Sequence, residues 1–205
     1  MPAGLASWPA SCGLWAVKLA NIRRMVAGDW ERLRAVRLEM LADTPAAYVE
    51  SLESAQEQTG GQWRNRAVAM TAPGSVTFVA AESADGISQE TGGARTFCGL
   101  MRVVVKNPQE ANRPLQAMLI SVYVSALHRG TGLADELLRH SVKAAAEELG
   151  AGLLQLGVHE DNSRAAGFYA RHGFHDTGRR EVYPLDTSKK EIIMERELAP
   201  AERDA

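Results

Sequence analysis

The chain has 205 residues, 45% hydrophobic and 23% charged, with a formal net charge of −2. That length suits one well-buried core better than two, and the mixed, near-balanced charge argues against a nucleic-acid binder or a membrane-surface protein. Its two cysteines, Cys12 and Cys98, stand too far apart for a metal spacing and are too few for a disulfide framework, so a reducing, cytoplasmic setting is expected.

Residues 1–16 read as a loose N-terminal extension. The first twenty residues are mildly apolar but carry Pro2 and Pro9 and have no basic residue before Lys18, a poor match to a membrane span; a cleaved signal is the sharper alternative. The folded domain is expected over 17–198, with 199–205 as a C-terminal tail. Residues 17–25 suit a first strand, and Asp29 stands where an N-cap belongs before a helix with Trp30, Leu33, Val36, Leu38 and Leu41 along one face. Pro45 ends that helix or opens the next element, and 46–70 reads as two short helices broken at Gly60-Gly61, the second carrying Trp63 and Ala67 on one side.

Residues 75–81 and 96–105 are β-branched and apolar and should pair as a hairpin, joined by a long polar loop over 82–95. After a turn at Asn107-Pro108, 118–124 is almost continuously apolar and predicts a central strand covered on both faces. A helix from about 132 to 149 follows, with Leu133, Leu137, Leu138, Val142, Ala145 and Leu149 at helical spacing; glycines at 150–152 stop it. Then come a buried strand at 153–158, a helix over 163–171 capped by Asp161 or Asn162, and closing strands at 181–185 and 192–197.

Between the central strand and the long helix lies Arg129-Gly130-Thr131-Gly132-Leu133-Ala134. A strand entering a glycine turn and then a helix gathers free backbone N–H groups at the positive end of the helix dipole, which suits an anion. Two glycines permit positive φ and close approach of a phosphate, and Arg129 adds a charged donor. No lysine follows Gly132 as a Walker loop requires, and the third glycine of a dinucleotide fingerprint is replaced by Asp135. On this turn alone, an anion site and a plain strand-to-helix connection stay equally open.

A second motif lies about thirty residues on: Asn162-Ser163-Arg164-Ala165-Ala166-Gly167-Phe168-Tyr169-Ala170-Arg171-His172-Gly173-Phe174. Together, in this order and in this strand-helix context, the two motifs resemble the GNAT superfamily of acyl-CoA N-acyltransferases over about 17–198. The resemblance implies an α/β (α+β) fold: a mixed, mostly antiparallel sheet of six to seven strands flanked by helices, with a splay between two parallel central strands. It implies acetyl-CoA as co-substrate, and no metal. The backbone of Val122, Tyr123 and Val124 would pair with the pantetheine arm, Arg129, Gly130, Thr131, Gly132, Leu133 and Ala134 would hold the pyrophosphate, and Asn162 and Phe168 would lie beside the cofactor. Tyr169 would protonate the departing thiolate. Asn162 could instead only cap a helix and Tyr169 could be only a core aromatic, and Phe168 is better suited to the core.

The implied activity is N-acetyl transfer by direct attack of a primary amine of a small molecule or a protein; a weakly catalytic acyl-CoA-binding sensor is the alternative. That alternative arises because some members place a glutamate eleven residues before the motif arginine, where this chain has Met118. Candidate bases are His159, Glu160, Glu53 or relayed water. Residues 45–70 and the closing strands should form the acceptor wall, with Glu50, Glu53 and Glu57 there read as a wet helix face rather than an amine site. His172 and His175 lack a third metal ligand, and neither Ser121 nor Cys98 sits in a nucleophile elbow. No nucleic-acid or membrane partner is expected, and a homodimer is left open.

Overall fold

A computed structural model describes residues 20–82, 96–106 and 114–198. The N-terminal extension, the 82–95 loop beyond Glu82, the Asn107-Pro108 turn and the C-terminal tail lie outside the described residues. The strands are β1 (Ala20–Arg24), β2 (Ser75–Glu82), β3 (Phe97–Lys106), β4 (Gln116–Val124), β5 (Leu153–His159), β6 (His175–Val182) and β7 (Lys190–Glu197). The helices are α1 (Trp30–Asp43), α2 (Leu52–Gln56), α3 (Gly60–Met70), α4 (Leu133–Glu147) and α5 (Ser163–Arg171), with a short 3₁₀ turn at Pro45–Ala47.

The strands form one sheet in the order β1-β2-β3-β4-β5-β7-β6. Every neighbouring pair is antiparallel except β4 and β5. As expected, β2 and β3 are antiparallel neighbours. One apolar layer joins the sheet to α4 and α5 through Leu133, Leu137, Leu138, Leu154, Leu156, Val158 and Tyr169. On the opposite face α1 and α3 bury Leu33, Val36, Met40 and Trp63 against Val79, Leu100 and Tyr123.

Three local readings change. On α1 the buried positions are Leu33, Val36, Arg37, Met40 and Leu41, the i, i+3, i+4, i+7, i+8 pattern of a core-facing helix. Arg37 thus takes the place in the stripe given to Leu38, because its charge is matched by Glu50: Arg37 Nε donates to Glu50 Oε2 at 2.8 Å. Asp29 precedes α1 but caps it with no side-chain hydrogen bond. Its carboxylate turns back to β1, accepting from both terminal nitrogens of Arg23 at 2.7 Å and from the Val26 N–H at 3.0 Å.

The third change concerns β6, which runs over His175–Val182 and not 181–185. It lies at the edge of the sheet, and nearly all its side chains are exposed. Its sequence therefore lacks the period-2 apolar signal that marks a half-buried strand.

Candidate active site

β4 and β5 pair only at residues 116–118 with 153–155. Beyond Met118 and Gln155 the strands part, leaving a wedge with β4 as one wall and β5 as the other. A bulge shapes the β4 wall: Leu100 faces Tyr123 and Arg102 faces Ile120, so Ser121 and Val122 together oppose Met101. Ser121 adopts φ 53°, alone among the described non-glycine residues in having positive φ. A serine held there costs about 1–3 kcal/mol, the kind of local strain that accompanies re-aimed backbone at functional sites.

Past the bulge, Tyr123 pairs with Leu100, and the Ser125 N–H donates to Cys98 O at 2.9 Å. Strand alternation then turns the backbone of Val122 and Val124 the other way, into the wedge. Their carbonyls already have partners: the Tyr48 hydroxyl donates to Val122 O at 2.9 Å, and Arg129 Nε donates to Val124 O at 3.0 Å. Their N–H groups face the opening.

Next comes the glycine turn. Gly130 and Gly132 have φ +79° and +87°, and a Cβ built on either would meet nothing within 4 Å. Gly132 is the N-cap of α4 and supplies no side-chain acceptor, whereas Ser51, Thr59 and Asn162 cap α2, α3 and α5 with theirs. The first N–H groups of α4, those of Leu133, Ala134 and Asp135, have no acceptor within the helix. Thr131 Oγ1 donates inward, to His128 O at 2.7 Å. The Arg129 guanidinium ion-pairs with Asp43 at the end of α1 and lies over the Tyr123 ring.

From the other helical face, α5 brings Tyr169 to the wedge. Its ring is buried, edge-on to Phe168 and Phe174 at centroid distances of 5.3 and 5.6 Å. Among the described residues none hydrogen-bonds its hydroxyl. Burial pushes the phenol well above its ordinary range, and the neighbouring Tyr48 adds to the shift. Tyr48 belongs to the α1–α3 side, so its influence reaches the Tyr169 phenol from the opposite layer. Asn162 Oδ1 accepts the Ala165 N–H at 3.1 Å and so caps α5, and half-buried Phe168 packs on the core and on the His172 ring.

The candidate bases are dispersed. Met118 is half-buried at the foot of the wedge. His159 is buried at the end of β5, its Nδ1 accepting the Asp161 N–H at 3.3 Å and its ring edge-on to Tyr183 at 4.8 Å. Glu160 accepts the Lys190 N–H, and Glu53 is exposed in the first turn of α2.

Glu50 departs from the wet-face reading. It binds Arg37, Arg66 and Gln58, all within 2.9 Å. Burial alone would raise its carboxyl; the hydrogen bonds from the two arginines outweigh that and hold it at about 2. Further residues at the wedge escaped the motif-based reading: Tyr48; Glu39, which accepts from the Tyr123 hydroxyl at 2.9 Å; Tyr183, whose hydroxyl donates to Tyr48 O at 2.7 Å; and Glu191 on β7. No motif flags them because they converge from separate elements.

A mixed sheet whose parallel pair opens beside an uncapped glycine-started helix is the architecture of the GNAT fold. The profile of the Acetyltransferase (GNAT) family matches residues 41–174, and the chain belongs to that family. Among curated proteins it is 38% identical over 80 residues to an uncharacterized N-acetyltransferase of Mycobacterium bovis, covering 39% of this chain and 51% of that protein. It is 34% identical over 88 residues to the peptidyl-lysine N-acetyltransferase YjaB of Escherichia coli, covering 37% and 56%. The chain thus spans about half the length of the curated relatives it matches.

Among solved structures, a GNAT-family acetyltransferase from Streptococcus pneumoniae superposes with TM-score 0.68 at 17% identity, over 88% of this chain and 100% of that one. Spermidine N-acetyltransferase from Vibrio cholerae, solved with CoA and spermine, gives 0.65 at 15% identity over 87% and 95%. These likenesses establish the fold.

Proposed function

We propose that the protein is an acetyl-CoA-dependent N-acetyltransferase that acts on a primary amine of a small molecule or a protein by direct attack. The observation that carries this reading is the wedge itself: an unpaired β4 edge leading into a positive-φ glycine turn and an uncapped α4. Family membership, and relatives and neighbours named as N-acetyltransferases, support it.

The turn fits a pyrophosphate, since the space a Cβ would fill at Gly130 and Gly132 is open. Residues 129–134 would hold it chiefly with backbone N–H groups, because the Arg129 side chain is already engaged with Val124 and Asp43. The N–H groups of Val122 and Val124 would pair with the pantetheine arm as an added strand does, and Phe168 and the amide nitrogen of Asn162 would line its path. Bound acetyl-CoA supplies the activated thioester. An N–H of the β4 edge would stabilise the oxyanion of the tetrahedral species, a contribution commonly worth about 10²–10³ in rate. Tyr169, kept protonated by burial, is an acid and not a base at neutral pH, and its unengaged hydroxyl would donate to the departing sulfur.

Among the described residues no helix is long and apolar enough to cross a membrane, and we place the activity in the cytoplasm, in keeping with the sparse cysteines. Thiol release from acetyl-CoA against a panel of primary amines tests the function. Amine-dependent release supports it, and tight acetyl-CoA binding without release from any amine would favour the sensor reading.

A further inference from the structure

Gly157 is the one exposed position of a largely buried β5, two residues beyond the point where β5 leaves β4. A glycine inside a strand often marks the close approach of another group. Here that group is a carboxylate: a Cβ built on Gly157 would lie 3.3 Å from both carboxylate oxygens of Glu191. The Glu191 side chain therefore crosses from β7 and lies over the bare backbone of β5, on the face opposite α4 and α5. At about 3.3 Å of rise per residue, this is about 7 Å past the last β4–β5 pair.

Two features distinguish Glu191 from its neighbours. Glu195, four residues along on the same face, is engaged by Arg179 and Gln155, whereas Glu191 has no hydrogen bond or ion pair among the described residues. Directly across from it on β6 stands Glu181, and like charges opposite each other in a sheet are destabilising. The other titratable groups facing Glu191 are His159 on β5, which favours its charged form, and Tyr183 beyond the end of β6. Nearby, Asp161 and Lys189 neutralise each other at 2.7 Å. Burial and Glu181 together push the Glu191 carboxyl above its usual range. An unpaired, half-buried carboxylate opposite a second carboxylate is a place prepared for a cation.

We propose that Glu191 receives the acceptor as its ammonium form and takes its proton, which makes the substrate class an alkyl amine charged at neutral pH. The inference rests on the acetyltransferase reading above. Glu191 removes one proton from the ammonium group; the neutral nitrogen forms the C–N bond as the C–S bond breaks; and Tyr169 protonates the sulfur. The acetylated nitrogen then loses its second proton, restoring Tyr169, and Glu191 releases its proton to water. The sum is one amide, one thiol and one proton.

The test compares the full chain with Glu191→Gln and Glu191→Asp, using spermidine and a lysine peptide as charged acceptors and an arylamine, neutral at the assay pH, as the uncharged one. Glu191→Gln is expected to lower kcat/KM about 100-fold for the charged acceptors, to change it less than about 3-fold for the arylamine, and to leave the acetyl-CoA Kd unchanged. Glu191→Asp should recover part of the loss. Because the variant removes a disfavoured charge, its melting temperature at neutral pH should equal or exceed that of the wild type, so a loss of rate will not reflect misfolding. If Glu191→Gln tracks the wild type on charged amines, the proposal falls while the acetyltransferase reading stands. If the wild type releases no thiol with any of the amines, both fall.

Discussion

Replacing Glu50 with glutamine should cost about 3 kcal/mol of folding stability, and the loss should depend on pH in a defined direction. The carboxyl is held at about 2 against an ordinary 4.5. A drop of ~2.5 at 1.36 kcal/mol each is ~3.4 kcal/mol, trimmed to about 2–3 by partial solvent screening. Orphaning Arg37 adds to this, since its side chain is only 7% exposed and its second terminal nitrogen, Nη1, has no partner among the described residues.

Because the folded value lies below the unfolded one, the stabilisation is complete above pH 4.5 and disappears as pH falls toward 2. Urea unfolding of wild type and variant at pH 7 and pH 3 should show the gap shrinking by about 2 kcal/mol at the lower pH. The double variant Arg37→Met, Glu50→Leu should recover most of the stability, because removing both charges leaves none buried alone. An equal gap at both pH values, or one below about 0.5 kcal/mol at pH 7, would refute the reasoning. The network also bears on the site: the Arg37 guanidinium lies over the Tyr48 ring at 5.0 Å, so the variant should loosen the phenol that holds Val122.

Tyr169→Phe keeps the ring on Phe174 and removes a hydroxyl without a described partner, so kcat should fall about 100-fold while melting temperature and acetyl-CoA affinity by calorimetry hold; unchanged turnover removes Tyr169 from the mechanism. Gly132→Ala forces an alanine to φ +87°, costing about 1–2 kcal/mol in thermal unfolding, and should weaken the acetyl-CoA Kd about tenfold; undiminished affinity would show that this turn does not hold the cofactor. Tyr48→Phe deprives Val122 O of its donor and should cost about 1 kcal/mol in unfolding free energy. It should also disturb KM for acetyl-CoA, and no effect on either would exclude a role for that bond in setting the β4 edge.

The motifs were legible because each is local. A glycine turn between strand and helix needs only 129–134 to be recognised, and the α5 segment carries its cap, Asn162, and its buried Tyr169 within a few residues. Elements with a strong apolar pattern were legible for the same reason: β5 and α5 lie where the periodicity puts them. What escaped depends on partners distant in the chain. Arg37 looks like a solvent residue until Glu50 and Arg66 are brought to it, and β6 shows no alternation because an edge strand here has little to bury. Ser121 gives no signal of positive φ, since the bulge is imposed by pairing with β3 and not by its own preference. Glu191 is one of several charged residues on β7 until the register sets it opposite His159, from where its side chain leans over Gly157.

The distant contacts also explain why the wedge holds its shape. Two strands that diverge inside a sheet leave unpaired backbone, which ordinarily favours closure of the gap or entry of water. Here the α1–α3 layer prevents closure on the β4 side. The Tyr48 hydroxyl takes Val122 O, Glu39 fixes the Tyr123 hydroxyl, and Asp43 anchors Arg129, which takes Val124 O. Each bond satisfies or fixes a group that would otherwise be free to re-pair, and together they leave mainly N–H donors along the open edge. A donor-rich edge suits the carbonyl groups of an incoming amide chain and a developing oxyanion better than a fully unpaired strand would. The helices that cover one face of the sheet therefore also set the chemistry of the opening in its centre.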